Sequence, residues 1–277
     1  MESITVRPPA VAGLFYAGNA TALDREVGAL LAEAATGKEE LAPPKALIVP
    51  HAGYIYSGPV AASAFVRLAP FGAQIRRVVL LGPCHRVAVR GLAVPLAPAF
   101  ATPLGSIPID RAAIDTLLDM PQVVRHDGAH AEEHSLEVQL PFLQRVLDNF
   151  ALVPLAVGYA SAEEVAEVLD RLWGGPETLI VVSSDLSHYH PYADAQRRDR
   201  HTADAIAHLH SLADHEQACG ATPINGLIEI AQRRGLTPRL LDLRNSGDTA
   251  GDKLRVVGYA SFAFYEANPA QRQSGNG

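Results

Sequence analysis

Three short apolar runs in this chain each end in residues able to bind a metal ion or carry a proton. Ala46 to Val49 leads through Pro50 into His51, Gly53, Tyr54 and Tyr56. Val78 to Leu81 leads through Gly82 and Pro83 into Cys84 and His85, and Leu179 to Val182 leads through Ser183 and Ser184 into Asp185 and His188. Neutral imidazole is the commonest protein ligand for metal ions. A single histidine at such a place ordinarily serves as a structural hydrogen-bonding group. Two at equivalent places, His51 and His85, each beside Gly or Pro, point to a pair of ligands held at a fixed angle.

Cys219 is the expected third ligand. It stands just before a helical stretch, and a helix N-terminus favours a thiolate. Two imidazoles and one anion match both the ligand menu of catalytic zinc and the facial triad of non-haem iron, with sulfur in place of carboxylate. Cys84 adjoins His85, but neighbours along an extended chain point opposite ways, so it reads as packing. Asp185 and His188 suit a general acid or base with its orienting partner, or a further ligand. Tyr54, His134 and Ser184 are expected in the wall of the same pocket. His130-Ala-Glu-Glu-His134 also fits the inverted zinc-peptidase pattern, with Glu133 as base if the segment is helical. The surroundings of Asp127 and Gly128 read as loop instead. Ser183-Ser184-Asp185 lacks the G-x-S-x-G elbow of a serine nucleophile.

Around these residues, an apolar run of four to eight positions bounded by turn residues reads as a strand buried on both faces. In open α/β sheets, ligands bind in the crevice beyond the carboxyl ends of such strands, which is where the candidate residues fall. Strand-like runs alternate with helical periodicity along the whole chain. Asn19 or Thr21 caps a helix through Leu23, Val27 and Leu30, ended by Gly37 and the stretch from Lys38 to Pro44. Ala61, Phe65 and Leu68 mark a second helix. Shorter strands are expected at 91–97 and 105–110. Ser135 reads as the N-cap of a helix through Leu136, Leu140, Leu143 and Leu147 that Pro141 bends. Residues 151–158 form another buried strand, and Ser161 with Glu164 makes a capping box for the helix after it. A polar helix is expected over 193–213, then one with Thr222 as N-cap, Pro223 at its first position and Gly235 just past its end. The fold class is therefore α/β, one domain over 7–266 with a mostly parallel central sheet flanked by helices, followed by a disordered tail over 267–277.

The totals narrow the function. With 48% hydrophobic and 19% charged residues over 277 positions, the chain has ample material for a core. A formal net charge of −7, with no run of Lys or Arg, argues against a nucleic-acid partner. No apolar run approaches the ~20 residues of a membrane span. Two cysteines make no disulfide framework and no leader is evident, so a cytoplasmic location is expected.

Taken together, VAGLFYAG, PHAGYIYSG, LLGPCHR, TPLG, EEHSLEVQLPFL, VVSSDLSHY, CGATPI and VVGYASFAF make a chain that resembles the Memo family, whose bacterial and archaeal members are often called AmmeMemoRadiSam system protein B. The resemblance spans roughly residues 7 to 265. It implies the fold of the class III extradiol dioxygenases, non-haem iron enzymes with two histidine ligands, one carboxylate ligand and a catalytic histidine. It implies His51, His85 and Cys219 as ligands and His188 as acid/base beside Asp185. Iron is the expected metal, with copper and zinc as alternatives. Position 84 is commonly serine in the family. Cysteine in place of the dioxygenases' carboxylate alters the redox behaviour of iron and also suits copper or zinc. The expected activity is metal-dependent redox chemistry on a small molecule. The alternatives are a non-catalytic metal-binding or interaction module, with a peptide, a radical-SAM protein or an AMMECR-like protein as partner, and a zinc hydrolase built on His130, Glu133 and His134.

Overall fold

A computed structural model describes residues 5–35 and 42–266. The strands in chain order are β1 (Ala46–Val49), β2 (Arg77–Pro83), β3 (Leu92–Val94), β4 (Ala99–Thr102), β5 (Gly105–Pro108), β6 (Val123–Arg125), β7 (Ala151–Val157), β8 (Thr178–Ser183), β9 (His188–His190), β10 (Thr237–Asn245) and β11 (Val256–Tyr265). The helices are α1 (Ala20–Ala34), α2 (Tyr54–Phe65), α3 (Arg111–Asp115), α4 (Asp127–Ala131), α5 (His134–Glu137), α6 (Leu140–Val146), α7 (Ala162–Arg171), α8 (Tyr192–Ala207) and α9 (Ala221–Arg234).

The main sheet has the order β10-β11-β1-β8-β2-β7-β3-β6, with β9 paired to β11. Its centre, β1-β8-β2-β7, is parallel throughout. Antiparallel pairings of β11 with β1 and β10, and of β3 with β7, flank that centre. Every residue of β1 and β8 is buried. That is the condition a parallel sheet imposes, because its crossover helices must cover both faces. α2 lies against β1 and β11, while α7 and α9 pack on each other and α9 lies against β2 and β8. The three runs singled out in the sequence are thus β1, β8 and β2, adjacent and pointing the same way. Their carboxyl ends open on one crevice.

Asn19 caps α1 by accepting from the Ala22 N–H at 2.9 Å, and Ser161 and Glu164 form the capping box of α7. Gly235 closes α9 with φ 68°, a left-handed value that glycine adopts without a Cβ penalty.

Elsewhere the fold departs from the sequence expectation. Pro141 lies in the first turn of a separate helix, α6, instead of bending a long one, consistent with proline's fitness for a first helical turn. The single turn α5 before it is capped by Glu133, not Ser135. Residues 127–131, expected as loop, form α4, with the His126 ring accepting from the Ala129 N–H at 3.1 Å. The polar helix stops at Ala207, and Leu209 takes φ 56° as the chain turns away. The Asn225 side chain then ties both the N–H and the carbonyl of Leu212, fastening this connection to α9. α9 begins at Ala221 with Gly220 as N-cap, so Thr222 and Pro223 lie inside its first turn. β4 and β6 are too short and too irregular in pattern to read from sequence. The helix stop at Gly37 and Lys38 and the tail at 267–277 lie outside the described residues. No helix among the described residues is long and apolar enough to cross a membrane.

Candidate metal centre

His51 leaves β1 through Pro50 and is 2% exposed. Its backbone N–H donates to Asp185 Oδ1 at 2.7 Å, so the end of β8 holds the turn after β1. Its Nδ1 lies 2.9 Å from Ser183 Oγ. That hydroxyl also contacts the Ser135 carbonyl at 2.6 Å and accepts from Gln139 Nε2 at 2.8 Å. A serine hydroxyl has one hydrogen. The carbonyl brings none, so the hydrogen sits on that contact and His51 Nδ1 must carry its own. The ring is therefore the Nδ1–H tautomer, with the Nε2 lone pair free. Burial first, and then the neighbouring rings of His85 and His134, hold its pKa well below the usual value, so the ring is neutral.

Two more imidazoles are fixed in the same way. His85 Nδ1 lies 2.9 Å from Glu133 Oε1, and the other carboxylate oxygen accepts the His85 backbone N–H at 2.5 Å. Glu133 is 1% exposed, and burial by itself would raise its pKa. The hydrogen bonds from His85 and Ser135 outweigh that and hold it at about 2. An ionised carboxylate accepts only, so His85 Nδ1 is the protonated nitrogen. His188 Nδ1 likewise meets the Leu186 carbonyl at 2.8 Å. Desolvation lowers the pKa of His188, which leaves it neutral with a free Nε2.

His134 completes the group. Its Nδ1 is 3.5 Å from Glu133 Oε1. Its ring stacks on His85 with centroids 4.9 Å apart and meets His51 edge-on at 5.5 Å. Ligand atoms of His51, His85 and His134 all lie within 4.8 Å of one another, a spacing compatible with a bound metal ion. The rings border a cavity of about 630 Å³ that His188, Asp185 and Cys219 also line.

Cys219 reaches the same place from the far end of the chain, its Sγ 3.3 Å from His51 Nε2. Gly220 makes this approach possible. A Cβ there would come within 2.7 Å of the Ser184 Cβ, and the Gly220 N–H donates to Ser184 Oγ at 2.9 Å. The sequence expectation of a thiolate is reversed in the protein by itself. Burial, and then the charge of Asp185, push the thiol up to about 12. A cation would have to displace that proton to bind sulfur.

The structure also sorts the other expected residues. Asp185 is buried and pushed up to about 7, chiefly by desolvation against the N–H bonds of His51 and Ala52. It holds the His51 turn, whereas the Leu186 carbonyl orients His188. Ser184 sits behind Cys219, 3.8 Å from its sulfur. Tyr54 falls in the core instead of the pocket wall. As the first residue of α2 its ring packs on Tyr16 and Phe142, and its hydroxyl donates to the Val138 carbonyl. His130 and His134 do not share a helix face, because α4 ends at Ala131 and α5 starts at His134. His130 Nε2 meets the Ala93 carbonyl and its ring meets Phe100, outside the three-histidine group. The zinc-peptidase arrangement is thus not formed, and Glu133 serves His85. Sequence reasoning passed over Ser183 and Gln139, which set the His51 tautomer. A polar residue closing an otherwise apolar buried strand was the available signal for Ser183.

A family model described as Memo-like protein matches residues 7–263. This chain belongs to the Memo-like family. MEMO1 family proteins of Thermotoga petrophila and Aquifex aeolicus are 35% and 37% identical to it, each alignment covering 94% of this chain and 99% of the relative. One from Ignicoccus hospitalis is 37% identical over 94% and 98% of the two chains. A crystal structure of an uncharacterized Escherichia coli K12 protein covers 79% of this chain at 14% identity with a TM-score of 0.49. The Memo-like match takes in all the centre's histidines and Cys219.

Proposed function

We propose that this Memo-like protein is a non-haem metal-dependent redox enzyme acting on a small molecule. The observation that carries the reading is the protonation pattern of the pocket. His51, His85 and His188 each have Nδ1 committed to an acceptor, which leaves Nε2 as the ring nitrogen available to the pocket. Imidazoles fixed in this way by carboxylate, hydroxyl and carbonyl partners are characteristic of metal ligands.

In this reading His51 and His85 hold the metal, and Cys219 or His134 supplies the third donor. The donor set of imidazoles with an optional thiolate suits iron, copper or zinc, and iron is the metal we propose. When bound, such a metal supplies a site for polarising a substrate and exchanging electrons. His188 accepts a proton from the substrate at Nε2 and returns one later, as a neutral base oriented by the Leu186 carbonyl. Asp185 keeps the His51 turn in place by accepting two backbone N–H groups. Glu133 keeps the His85 lone pair directed outward.

The test is metal analysis of freshly purified protein, with oxygen uptake measured on anaerobically prepared, Fe(II)-loaded protein across a panel of phenolic and related substrates. Stoichiometric metal, with uptake lost in His188→Ala, is the expected outcome. Stoichiometric metal with no turnover on any of them, together with co-purification of a radical-SAM or AMMECR-like protein, favours the non-catalytic module. Absence of metal in both wild type and Fe(II)-loaded samples ends the reading.

A further inference from the structure

The cavity beside the histidines does not stop there. A second cavity of about 470 Å³ shares His85, Arg86, His215 and Cys219 with it, so the two are chambers of one bent cleft. Their characters differ. The first is lined by imidazoles. The second runs along Val87, Val89, Val157 and Tyr159, the last 79% exposed.

The second chamber is rigid where it needs to be. The Tyr159 N–H donates to the Val89 carbonyl at 2.8 Å, and the Cys84 N–H donates to the Val157 carbonyl at 2.9 Å. A Cβ at Gly158 would lie 2.1 Å from the Val89 carbonyl oxygen, so these two backbones approach as closely as glycine permits. The Cys84 thiol donates to the Val87 carbonyl at 3.0 Å and closes the turn that carries Arg86. This accounts for Cys84, which the metal centre does not use.

Arg86 stands where the chambers meet, and its guanidinium pairs with no carboxylate among the described residues. Two other arginines, Arg7 and Arg77, are by contrast held by Glu137 and Asp110. Glu216 borders the first chamber only.

We infer that this cleft binds an amphipathic organic anion, its acidic group on Arg86 and its apolar portion along Val87, Val157 and Tyr159. The inference deepens the proposed function and rests on it for what happens in the first chamber. Arginine is the side chain suited to a carboxylate through paired N–H donors. The apolar wall adds affinity in proportion to the surface it removes from water.

The test titrates zinc-loaded full-length protein with acetate, hexanoate and hexanamide by calorimetry, in wild type, Arg86→Ala and Tyr159→Ser. Hexanoate should bind at least about tenfold tighter than acetate, since its four extra methylenes meet the apolar wall. Arg86→Ala should weaken hexanoate at least about tenfold and hexanamide less than about twofold, because only the acid uses the charge. Tyr159→Ser should narrow the hexanoate-to-acetate ratio by about threefold or more. Equal affinity for hexanoate and acetate in wild type, or an unchanged hexanoate affinity in Arg86→Ala, overturns the inference. Zinc content is measured on the same samples. Protein that takes up zinc stoichiometrically but lacks these preferences removes the cleft assignment alone. Protein that takes up no zinc yet keeps them supports the cleft and removes the metal reading.

Discussion

Glu133→Gln isolates the link between protein architecture and metal affinity. The carboxylate accepts the His85 backbone N–H, the His85 Nδ1–H and the Ser135 N–H, at 2.5, 2.9 and 2.9 Å. A glutamine of the same shape has one accepting oxygen and one donating nitrogen. Whichever way the amide turns, its N–H₂ faces a group that is itself a donor. The rotamer that keeps the His85 backbone bond sets the amide nitrogen against His85 Nδ1, which then has to give up its proton. The ring responds by moving that proton to Nε2, the nitrogen that faces the pocket. Metal binding must then reverse this change. Loss of such a supporting partner typically lowers metal affinity about 10- to 100-fold, or about 1.4–2.7 kcal/mol. Competition with a chromophoric chelator, using zinc so that redox state does not intrude, reads this directly. Circular dichroism on the same sample checks that the variant is folded. A folded Glu133→Gln protein that binds zinc within about twofold of wild type would refute the argument that the carboxylate sets the tautomer.

Two further outcomes follow from the same geometry. Because the Cys219 thiol is pushed up to about 12 while His51 is already neutral, a metal held through sulfur must release about one proton at pH 7.5. Zinc titration in weakly buffered solution should show that release in wild type and its loss in Cys219→Ser. Equal release in both would assign the third donor to His134. Behind His188, where it accepts the Ser187 N–H at 3.0 Å, Asp199 is buried, and desolvation chiefly pushes its pKa up to about 6 while its other oxygen has no partner. An acid whose folded value lies above its unfolded value binds the proton more tightly when folded, so stability falls as pH rises from about 4 to about 6. Asp199→Asn should therefore raise the melting temperature at pH 7.5 by a few degrees, worth roughly 1–2 kcal/mol, with the gain vanishing near pH 4. An equal gain at both pH values would show that ionisation is not the cause.

The central part of the fold was legible in the residues because β1, β2 and β8 sit in the middle of the sheet. Burial on both faces demands uninterrupted apolar runs, and such runs stand out in a chain where polar residues are otherwise well mixed. The helix ends at Asn19, Ser161 and Gly235 were readable for a similar reason, since capping is chemistry local to a few residues. The mismatches gathered where local pattern competes with long-range contact. Pro141 marks a helix start as readily as a bend, and only packing selects one. Tyr54 follows Gly53 in a motif dense with candidate groups, yet the first turn of α2 aims it at Phe142.

His51, His85, Cys219 and His188 could be named from the chain because each stands just past a strand end or just before a helix start, where the crevice of a parallel sheet lies. What joins them could not. His134 enters beside His85 only because Glu133 reaches back across 48 residues to hold the turn after β2. The His51 tautomer depends on a serine from β8, a glutamine from the junction of α5 and α6, and a carbonyl from α5. Residue types and spacing determine which groups can bind a cation. The direction of each lone pair depends on hydrogen bonds between segments distant in the chain, and those exist only once the sheet has formed.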